Sequence, residues 1–369
     1  MTLRRPFTLL VALCAVAFVG AACGSSGGSS SSSTSTAGSA GSQAAQATTS
    51  STGSATLRLG VFPNVTHATG LAGIEKGIFA DKLGPNVKLQ VQSFNAGPAA
   101  VEALFGDAID ATFVGPNPAI NGYVKSKGDA LRVIAGSTSG GAYLVVRNTI
   151  AAPADLKGKK LATPQLGNTQ DVALRSWLKQ KGLKADTHGG GDVSILPQEN
   201  AQTLDAFKTG AIDGAWVPEP WATRLVTEAG AKVLVDERDL WPGGQYVTTQ
   251  LIVAKKYLEK YPDVVKRLLE GQVAATDYVN QNQADAQKAA NDQIEKLTGK
   301  RVGDALISAS WKNLTFTVDP VATSLKSNAD AAVSLGLLDL GNVDLAGIYD
   351  LKILNQVLAA QGKPQVKQL

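Results

Sequence analysis

A short motif occurs twice in this chain, 103 residues apart, and it constrains the possible fold more than any other feature. Residues 101–104 (Val-Glu-Ala-Leu) are echoed at 204–207 (Leu-Asp-Ala-Phe), and Ala-Ile-Asp occurs at both 108–110 and 211–213. Each copy passes from a helical pattern through a turn into a short apolar stretch that is typical of a buried strand. We interpret the two copies as equivalent positions in two related β/α units.

Strand and helix patterns alternate through both units, which is typical of a mostly parallel sheet covered by helices. Strand patterns occupy residues 56–62, 87–93, 111–114 and 131–135 in the first unit, and 161–163, 193–196, 215–217 and 233–235 in the second. Residues 143–146 and 246–253 are strand-like and stand where the chain would cross between the units. The sequence predicts an α/β fold with lobe 1 at 56–142 plus 250–369, ending in a helical tail, and lobe 2 at 143–249.

The first 55 residues have the pattern of a secretory signal peptide followed by a tether. Arg4 and Arg5 precede an uncharged run of 16 residues, which is shorter than the ~20 residues of a spanning helix. Gly20-Ala21-Ala22 then precede Cys23, in the order of a bacterial lipoprotein signal, although Leu is usual where Gly20 stands. We expect a signal peptide at 1–22, a lipidated Cys23 and a Ser/Gly-rich flexible tether at 23–55. An ordinary secretory signal and a retained anchor are the alternatives.

Composition excludes several function classes. Cys14 lies in the expected signal, so Cys23 is the only cysteine expected in the mature chain, and a disulfide is not predicted. Loss of Arg4 and Arg5 lowers the formal charge from +4 to +2, which does not favour nucleic-acid binding. The sequence contains no metal-ligand spacing, phosphate loop or dinucleotide fingerprint. We therefore expect no metal, no cofactor and no enzymatic activity.

Five junctions between a strand and the following helix share one chemistry. They are rich in Gly, Pro and the neutral donors Asn, Ser, Thr and Gln, and they occupy residues 63–67, 115–118, 136–141, 165–171 and 216–221. Ligands of open parallel sheets bind outside the carboxyl ends of the strands, next to these helix N-termini. Exposed backbone N–H groups and the helix dipole favour an anion there. The junctions together predict an anion-binding cleft built from turns.

Residues 56–253 resemble the nitrate-, taurine- and aliphatic-sulfonate-binding proteins of ABC importers, a branch that also includes binders of thiamine-pyrimidine precursors. The resemblance depends on Pro-Asn-x-x-His at 63–67 before Glu-Lys-Gly-Ile-Phe at 75–79, on Gly-Asp-Ala-Ile-Asp at 106–110, on Asp-Leu-Lys-Gly-Lys-Lys at 155–160, and on Gly-Ala-Ile-Asp at 210–213. It implies a two-lobed periplasmic-binding-protein fold of type II, with two crossover strands, that closes on its ligand.

The same resemblance implies ligand contacts at the matching turns. These are Asn64, His67, Gly115, Asn117, Thr138, Ser139, Asn168, Thr169, Gln170 and Trp216. Trp216 could form an apolar wall for an alkyl group. Glu219 could either favour its helix N-terminus or face the cleft, where it would prefer a ligand with an amine, such as taurine. Asp171 is open to the same two interpretations, as a capping residue or a cleft residue.

These expectations describe a lipid-anchored solute-binding protein on the outer face of the cytoplasmic membrane. Its partners would be a small organic anion, an ABC permease and the permease's ATPase, and the protein would be a monomer. An aliphatic sulfonate or taurine is the preferred ligand, with nitrate or a thiamine-precursor pyrimidine as alternatives. A pyrimidine-forming enzyme is disfavoured because its motif is a cluster of cysteines. A solute sensor stays possible, although the chain has no added signalling domain.

Replacing Cys23 by Ala is expected to release the protein from the membrane, because the thiol is the proposed site of acylation. Cell fractionation of the wild type and of Cys23→Ala measures this release. Cys14→Ser is the control and should stay attached, since Cys14 lies in the segment expected to be removed. A wild-type protein that is free of the membrane fraction would contradict the lipoprotein interpretation.

Overall fold

The computed structural model describes residues 55–368. The expected signal peptide, Cys23 and nearly all of the tether therefore lie outside the described residues, and these predictions stay predictions. Within residues 55–368, no helix combines the length and the apolar character that crossing a membrane requires.

The described chain contains eleven strands and thirteen helices. The strands are β1 Ala55–Val61, β2 Val87–Ser93, β3 Ala111–Val114, β4 Leu131–Gly140, β5 Ala142–Val146, β6 Lys160–Thr163, β7 Ser194–Pro197, β8 Gly214–Pro218, β9 Lys232–Asp236, β10 Val247–Ala254 and β11 Leu314–Phe316. The helices are α1 Ala68–Glu75, α2 Ile78–Leu83, α3 Gly97–Phe105, α4 Pro116–Lys125, α5 Thr169–Gln180, α6 Asn200–Thr209, α7 Trp221–Ala229, α8 Lys255–Lys260, α9 Pro262–Gln281, α10 Gln283–Thr298, α11 Asp304–Trp311, α12 Ala322–Ser334 and α13 Lys352–Ala360. Short 3-10 turns cover Val65–His67, Pro153–Leu156, Glu237–Leu240, Pro242–Gly244 and Leu345–Ile348.

The strands form two sheets with the same internal order. The larger sheet runs β11-β4-β10-β3-β1-β2, and the smaller runs β7-β6-β8-β5-β9. In the five-strand order that the sheets share, the fourth strand is antiparallel to both of its neighbours, namely β10 in the larger sheet and β5 in the smaller. Each of these is the first strand after the chain crosses from the other sheet, which confirms the two predicted crossover strands. We call the part that carries the larger sheet lobe 1 and the other part lobe 2.

The 103-residue repeat has the same hydrogen bonds in both lobes. The backbone N–H of Asp110 donates to the carbonyl of Arg58, and the Arg58 N–H donates to the Asp110 carboxylate, both at 2.8 Å. In lobe 2, the N–H of Asp213 donates to the Lys160 carbonyl at 2.8 Å, and the Lys160 N–H donates to the Asp213 carboxylate at 2.9 Å. The repeated aspartate therefore fixes the start of β3 against β1 in lobe 1 and the start of β8 against β6 in lobe 2.

The helical tail packs on the larger sheet. Gln272 on α9 donates from Nε2 to the carbonyl of Gly136 on β4 at 2.8 Å, and the Gly136 N–H donates to the carbonyl of Val318 at 2.8 Å. The buried side chains of α9, α10 and α12 join the same hydrophobic core as β1 and β3. Burial of this apolar surface makes the tail part of the structure of lobe 1.

Strand β4 is longer than the sequence predicts. The prediction ended it at Ala135 and assigned residues 136–141 to a ligand-binding turn, whereas the strand continues to Gly140. Its extension pairs with β10 on one side and with β11 on the other. These backbone hydrogen bonds hold Thr138 and Ser139 in the sheet, because a paired strand satisfies its N–H and C=O groups better than a loop does.

Gly136→Ala is expected to destabilise lobe 1. A Cβ atom at this position would lie 2.1 Å from the carbonyl oxygen of Asp319, so the backbone of the tail would have to move. Such overpacking costs about 1–3 kcal/mol in the free energy of unfolding, which urea titration measures. Gly303→Ala is the control, because an added Cβ there meets no atom within 4 Å and should change stability by less than about 0.5 kcal/mol. Equal stability of the two variants would contradict the tight packing of the tail on β4.

Candidate functional site

A small cavity, which we call the inner cavity, lies between the two lobes at the carboxyl ends of the parallel strands. It measures about 30 Å³, which is room for about two water-sized groups. Both lobes contribute to its lining, which comprises Phe62, Asn64, Thr66, His67, Asn95, Ala96, Gly97, Gly115, Pro118, Pro164, Asn168, Thr169, Gln170, Asn200, Pro218, Thr248 and Thr249. The position agrees with the rule that open parallel sheets bind ligands beyond the ends of their strands.

Five helices begin at the inner cavity. Their first residues or N-caps line it, and they are His67 before α1, Gly97 on α3, Gly115 before α4, Thr169 on α5 and Asn200 on α6. The first N–H groups of a helix have no partner within the helix, and the dipole places partial positive charge at that end. The converging helices therefore give the inner cavity a positive potential without a basic side chain.

No charged side chain of residues 55–368 lines the inner cavity. Its one titratable ring, His67, is 2% exposed, and burial lowers the pKa of the imidazole to about 3. His67 Nδ1 accepts a hydrogen bond from the Phe62 N–H at 3.4 Å, and the two rings stack with 4.3 Å between their centroids. The imidazole is therefore neutral near pH 7, and a bound anion would meet no carboxylate that repels it.

Two buried polar atoms of the inner cavity lack a hydrogen-bond partner within the described chain. They are Oγ1 of Thr169 and Oδ1 of Asn200. Thr169 is 2% exposed and Asn200 is 7% exposed. Leaving such atoms unpaired costs about 1–3 kcal/mol each. The Thr169 hydroxyl can donate to a ligand oxygen, whereas Asn200 Oδ1 accepts only and would pair with a donor on the ligand. A Cβ atom on Gly115 of lobe 1 would lie 2.3 Å from the Thr169 hydroxyl of lobe 2, and glycine therefore permits this close approach of the lobes.

The turn before α5 is held by its own side chains. Asn168 Oδ1 accepts from the Asp171 N–H at 2.9 Å, and Asn168 Nδ2 donates to Gln170 Oε1 at 3.0 Å. The Asp171 carboxylate is buried and accepts from the Thr163 hydroxyl at 2.9 Å and from Arg175 Nε at 3.0 Å. Asp171 therefore stabilises the turn and does not line the inner cavity.

Six of the eleven residues predicted to contact ligand line the inner cavity, and five do not. The six are Asn64, His67, Gly115, Asn168, Thr169 and Gln170. Among the other five, Asn117 donates from Nδ2 to the Asn328 carbonyl of α12 at 3.1 Å. Thr138 Oγ1 donates to the Thr66 carbonyl at 2.7 Å, and Ser139 Oγ accepts from the Tyr246 N–H at 3.3 Å. Both are strand residues for the reason given above.

Trp216 does not lie in the predicted cleft, and Glu219 agrees with the first of its two alternatives, because it accepts from the Thr223 N–H in the first turn of α7. Trp216 is fully buried in lobe 2, and its indole N–H donates to Glu237 Oε2 at 2.7 Å. Burial raises the pKa of the Glu237 carboxyl to about 7. Glu219 is 1% exposed and accepts from the Thr223 hydroxyl at 2.8 Å and from Asn313 Nδ2 at 2.7 Å. Neither side chain lines the inner cavity, so we assign neither an alkyl contact to Trp216 nor an amine contact to Glu219.

Several residues of the inner cavity were not predicted from the sequence. Asn95 follows β2 and Asn200 opens α6, so both belong to strand-to-helix junctions of the kind singled out elsewhere. Applying the junction rule to every strand would have found them. Thr248 and Thr249 belong to β10, which carries no such signal, and only the crossing of that strand between the lobes brings them to the cavity.

Comparison with known proteins gives one family and a shared fold. Residues 50–292 match the NMT1-like family. The taurine-binding periplasmic protein of Escherichia coli (strain K12) is 28% identical over 228 residues, which are 61% of this chain and 68% of that protein. These matches confirm the predicted resemblance.

Two solved structures resemble the fold at low sequence identity. The alkanesulfonate-binding protein of Xanthomonas axonopodis pv. citri bound to MOPS has a TM-score of 0.67 at 20% identity, covering 80% of this chain and 98% of that one. The periplasmic nitrate-binding protein of Synechocystis PCC 6803 has a TM-score of 0.66 at 16% identity, covering 84% and 89%. Both likenesses confirm the predicted two-lobed fold class.

His67→Gln is expected to make the free energy of unfolding depend less on pH. The folded pKa of about 3 lies below the ordinary 6.5, so the unfolded chain takes up the proton first as the pH falls. The free energy of unfolding that the neutral ring contributes is fully present above pH 6.5. It decreases towards pH 3, by up to about 1.4 kcal/mol per pH unit. Between about pH 7 and about pH 5, urea titration should show the wild type losing roughly 2 kcal/mol more than His67→Gln.

The exposed His188 supplies the control, since His188→Gln should follow the wild type at both pH values. Equal losses in the wild type and in His67→Gln would contradict a buried, neutral imidazole.

Proposed function

This chain belongs to the NMT1-like family, and from that membership and the inner cavity we propose an extracytoplasmic solute-binding protein of an ABC importer. It binds a small oxyanion between its lobes and delivers it to a membrane permease that an ATPase drives. The proposed ligand is an aliphatic sulfonate. Relatives and structural neighbours whose names specify taurine, alkanesulfonate or nitrate binding support an oxyanion. The protein acts by binding and carries out no chemistry on its ligand.

The observation that carries this proposal is the neutral inner cavity at five helix N-termini. Without a basic side chain, a bound oxyanion would be stabilised by backbone N–H groups, helix dipoles and neutral donors. The unpaired hydroxyl of Thr169 supplies one such donor. Because no acid lines the inner cavity, an ammonium group on the ligand gains no partner charge there.

Nitrate is the second candidate, because of the size of the inner cavity. The small volume, about 30 Å³, favours an inorganic oxyanion or the compact head of a sulfonate over a ligand whose organic part also lies there. The pyrimidine alternative gains no support from this volume, because an aromatic ring needs more space than the closed lobes leave there.

Three hydrogen bonds between the lobes support a closed arrangement that encloses the ligand. Trp221 Nε1 donates to Asn64 Oδ1 at 2.9 Å, and Asn95 Nδ2 donates to Glu199 Oε1 at 2.7 Å. The third is the bond from Asn313 to Glu219. Release would break these bonds by separating the lobes, as in other hinged binding proteins. We propose that the lobes move as two bodies, with the protein held at the outer face of the cytoplasmic membrane through Cys23.

Isothermal titration calorimetry with ethanesulfonate, taurine, nitrate and a hydroxymethylpyrimidine tests the proposal. We expect saturable binding of ethanesulfonate, and Thr169→Ala should weaken it by about 1–3 kcal/mol, because the hydroxyl would otherwise meet a charged oxygen. Thr209→Ala is the control, since this exposed threonine lies at the far end of α6 and should leave affinity unchanged.

Each alternative gives a distinct result in this experiment. Saturation by nitrate alone would make the second candidate the ligand. Saturation by the pyrimidine alone would overturn the oxyanion assignment. Unchanged affinity in Thr169→Ala would remove its hydroxyl from the contacts with the ligand.

A further inference from the structure

A buried ion pair lies directly behind the turn that opens α5. Asp171 and Arg175 are one helical turn apart, 0% and 2% exposed, and Arg175 Nε is 3.0 Å from the Asp171 carboxylate. Gln170, which immediately precedes Asp171, lines the inner cavity, and so do Asn168 and Thr169. A negative and a positive charge are therefore buried next to a cavity that we assign to an anion.

The Asp171 carboxylate holds the turn in place. Its Oδ1 accepts from the Thr163 hydroxyl at 2.9 Å. Its Oδ2 accepts from the Gly167 N–H at 2.9 Å and from Arg175 Nε at 3.0 Å. Thr163 ends β6 and Gly167 belongs to the turn, so the carboxylate joins the strand, the turn and the helix. These bonds require a polar group at this position, but they do not require a charged one.

The charge of Asp171 opposes the binding of an anion. It lies at the third residue of α5, where it offsets the positive potential of that helix N-terminus. Because neither residue of the pair is exposed, solvent screens this charge weakly, and charges interact over several ångströms at the lower effective dielectric. An anion in the inner cavity would therefore be repelled by the carboxylate unless a positive charge matched it.

Arg175 provides that positive charge, and stability alone does not explain its presence. Its Nη1 donates to the Asp186 carbonyl at 2.6 Å, whereas its Nη2 is buried without a hydrogen-bond partner within residues 55–368. The desolvation of two buried charges is so unfavourable that apolar side chains of similar volume often stabilise a protein equally well. An apolar residue in place of Arg175, however, would leave the charge of Asp171 unmatched beside the cavity.

We propose that Arg175 is a positioning residue that sets the anion affinity of the inner cavity without touching the ligand, by matching the charge of Asp171 behind the α5 turn. This inference rests on the anion binding proposed above and adds a residue that lies outside the lining of the cavity. Asp171 supplies the hydrogen bonds that shape the turn, and Arg175 offsets the repulsion that a carboxylate there would exert on the ligand.

Removing each charge separately should change the affinity in opposite directions. Asp171→Asn can keep the hydrogen bonds, because the amide oxygen accepts from Gly167 and Arg175. The amide NH₂ then donates to the Thr163 hydroxyl, which accepts as well as it donates. Calorimetric titration with ethanesulfonate and with nitrate should show binding that is about three- to ten-fold tighter in Asp171→Asn. Arg175→Met should weaken the same anions about ten-fold, since the buried carboxylate then has no matching charge.

Three further variants complete the experiment. Asp171→Asn/Arg175→Met removes both charges and should return the affinity to within about three-fold of the wild type. Arg175→Lys keeps a positive charge one turn from Asp171 and should also stay within about three-fold, although it loses the planar guanidinium. Asp330→Asn is the matched control, because it removes the same charge from an exposed pair with Lys326 on α12 and should leave the affinity unchanged.

A purely structural role of the pair would weaken binding in both single variants, and that result would overturn the inference. Equal affinities of the wild type and both single variants would overturn it as well. Urea titration checks that each variant folds. If Arg175→Met does not fold, the tighter binding expected for Asp171→Asn decides the question, and its absence overturns the inference.

The failure of this inference can be distinguished from the failure of the proposed function. If the wild type binds neither ethanesulfonate nor nitrate, the oxyanion assignment is wrong and the inference falls with it. If the wild type binds one of these anions and the two single variants do not change its affinity in opposite directions, the oxyanion assignment stands and the role of Arg175 is overturned.

Discussion

The convergence of five helix N-termini on one neutral cavity is the constraint on which the rest of the structure depends. Each helix alone offers a few unpaired N–H groups and a weak positive potential, which a polar solvent would largely screen. Placed between two lobes, the same groups lie around a space of about 30 Å³ whose lining residues are mostly buried. The lower effective dielectric strengthens each contact with an anion. Both lobes are needed, because α5 and α6 lie in lobe 2 while α1, α3 and α4 lie in lobe 1.

No acidic side chain of the described chain faces the inner cavity, because the nearby acidic residues make their ion pairs and hydrogen bonds with other parts of the protein. Asp171 is the third residue of α5, and its carboxylate faces Arg175 and Thr163 within lobe 2. Glu219 follows β8, yet it accepts hydrogen bonds from Thr223 and from Asn313 of lobe 1. Burial raises the pKa of the Glu219 carboxyl. The hydrogen bonds act in the opposite direction, because they favour the charged form of the carboxyl. The acids thus stabilise turns and the contact between the lobes, and an anion in the cavity does not meet them.

The two lobes have the same strand order but differ in the elements that pack around their sheets. The repeated aspartates Asp110 and Asp213 make the same backbone contacts, and both sheets have the same strand order. Lobe 1 alone receives the C-terminal helices and the added edge strand β11, which pairs with β4. Asn313, which follows α11, also donates to Glu219 of lobe 2. The tail therefore contributes both to the core of lobe 1 and to the contact between the lobes.

The sequence by itself determined the order of elements, the doubled plan and the chemistry of the junctions, because periodicity, helix caps and turn residues act over a few neighbouring residues. It could not determine where side chains of fully buried strands point. Every residue of β8 is buried, so no alternation of polar and apolar residues revealed that Trp216 faces the core of lobe 2. Trp221, five residues later, reaches Asn64 of the other lobe instead. Only the tertiary structure decided this, since the position of that indole depends on how two distant parts of the chain meet.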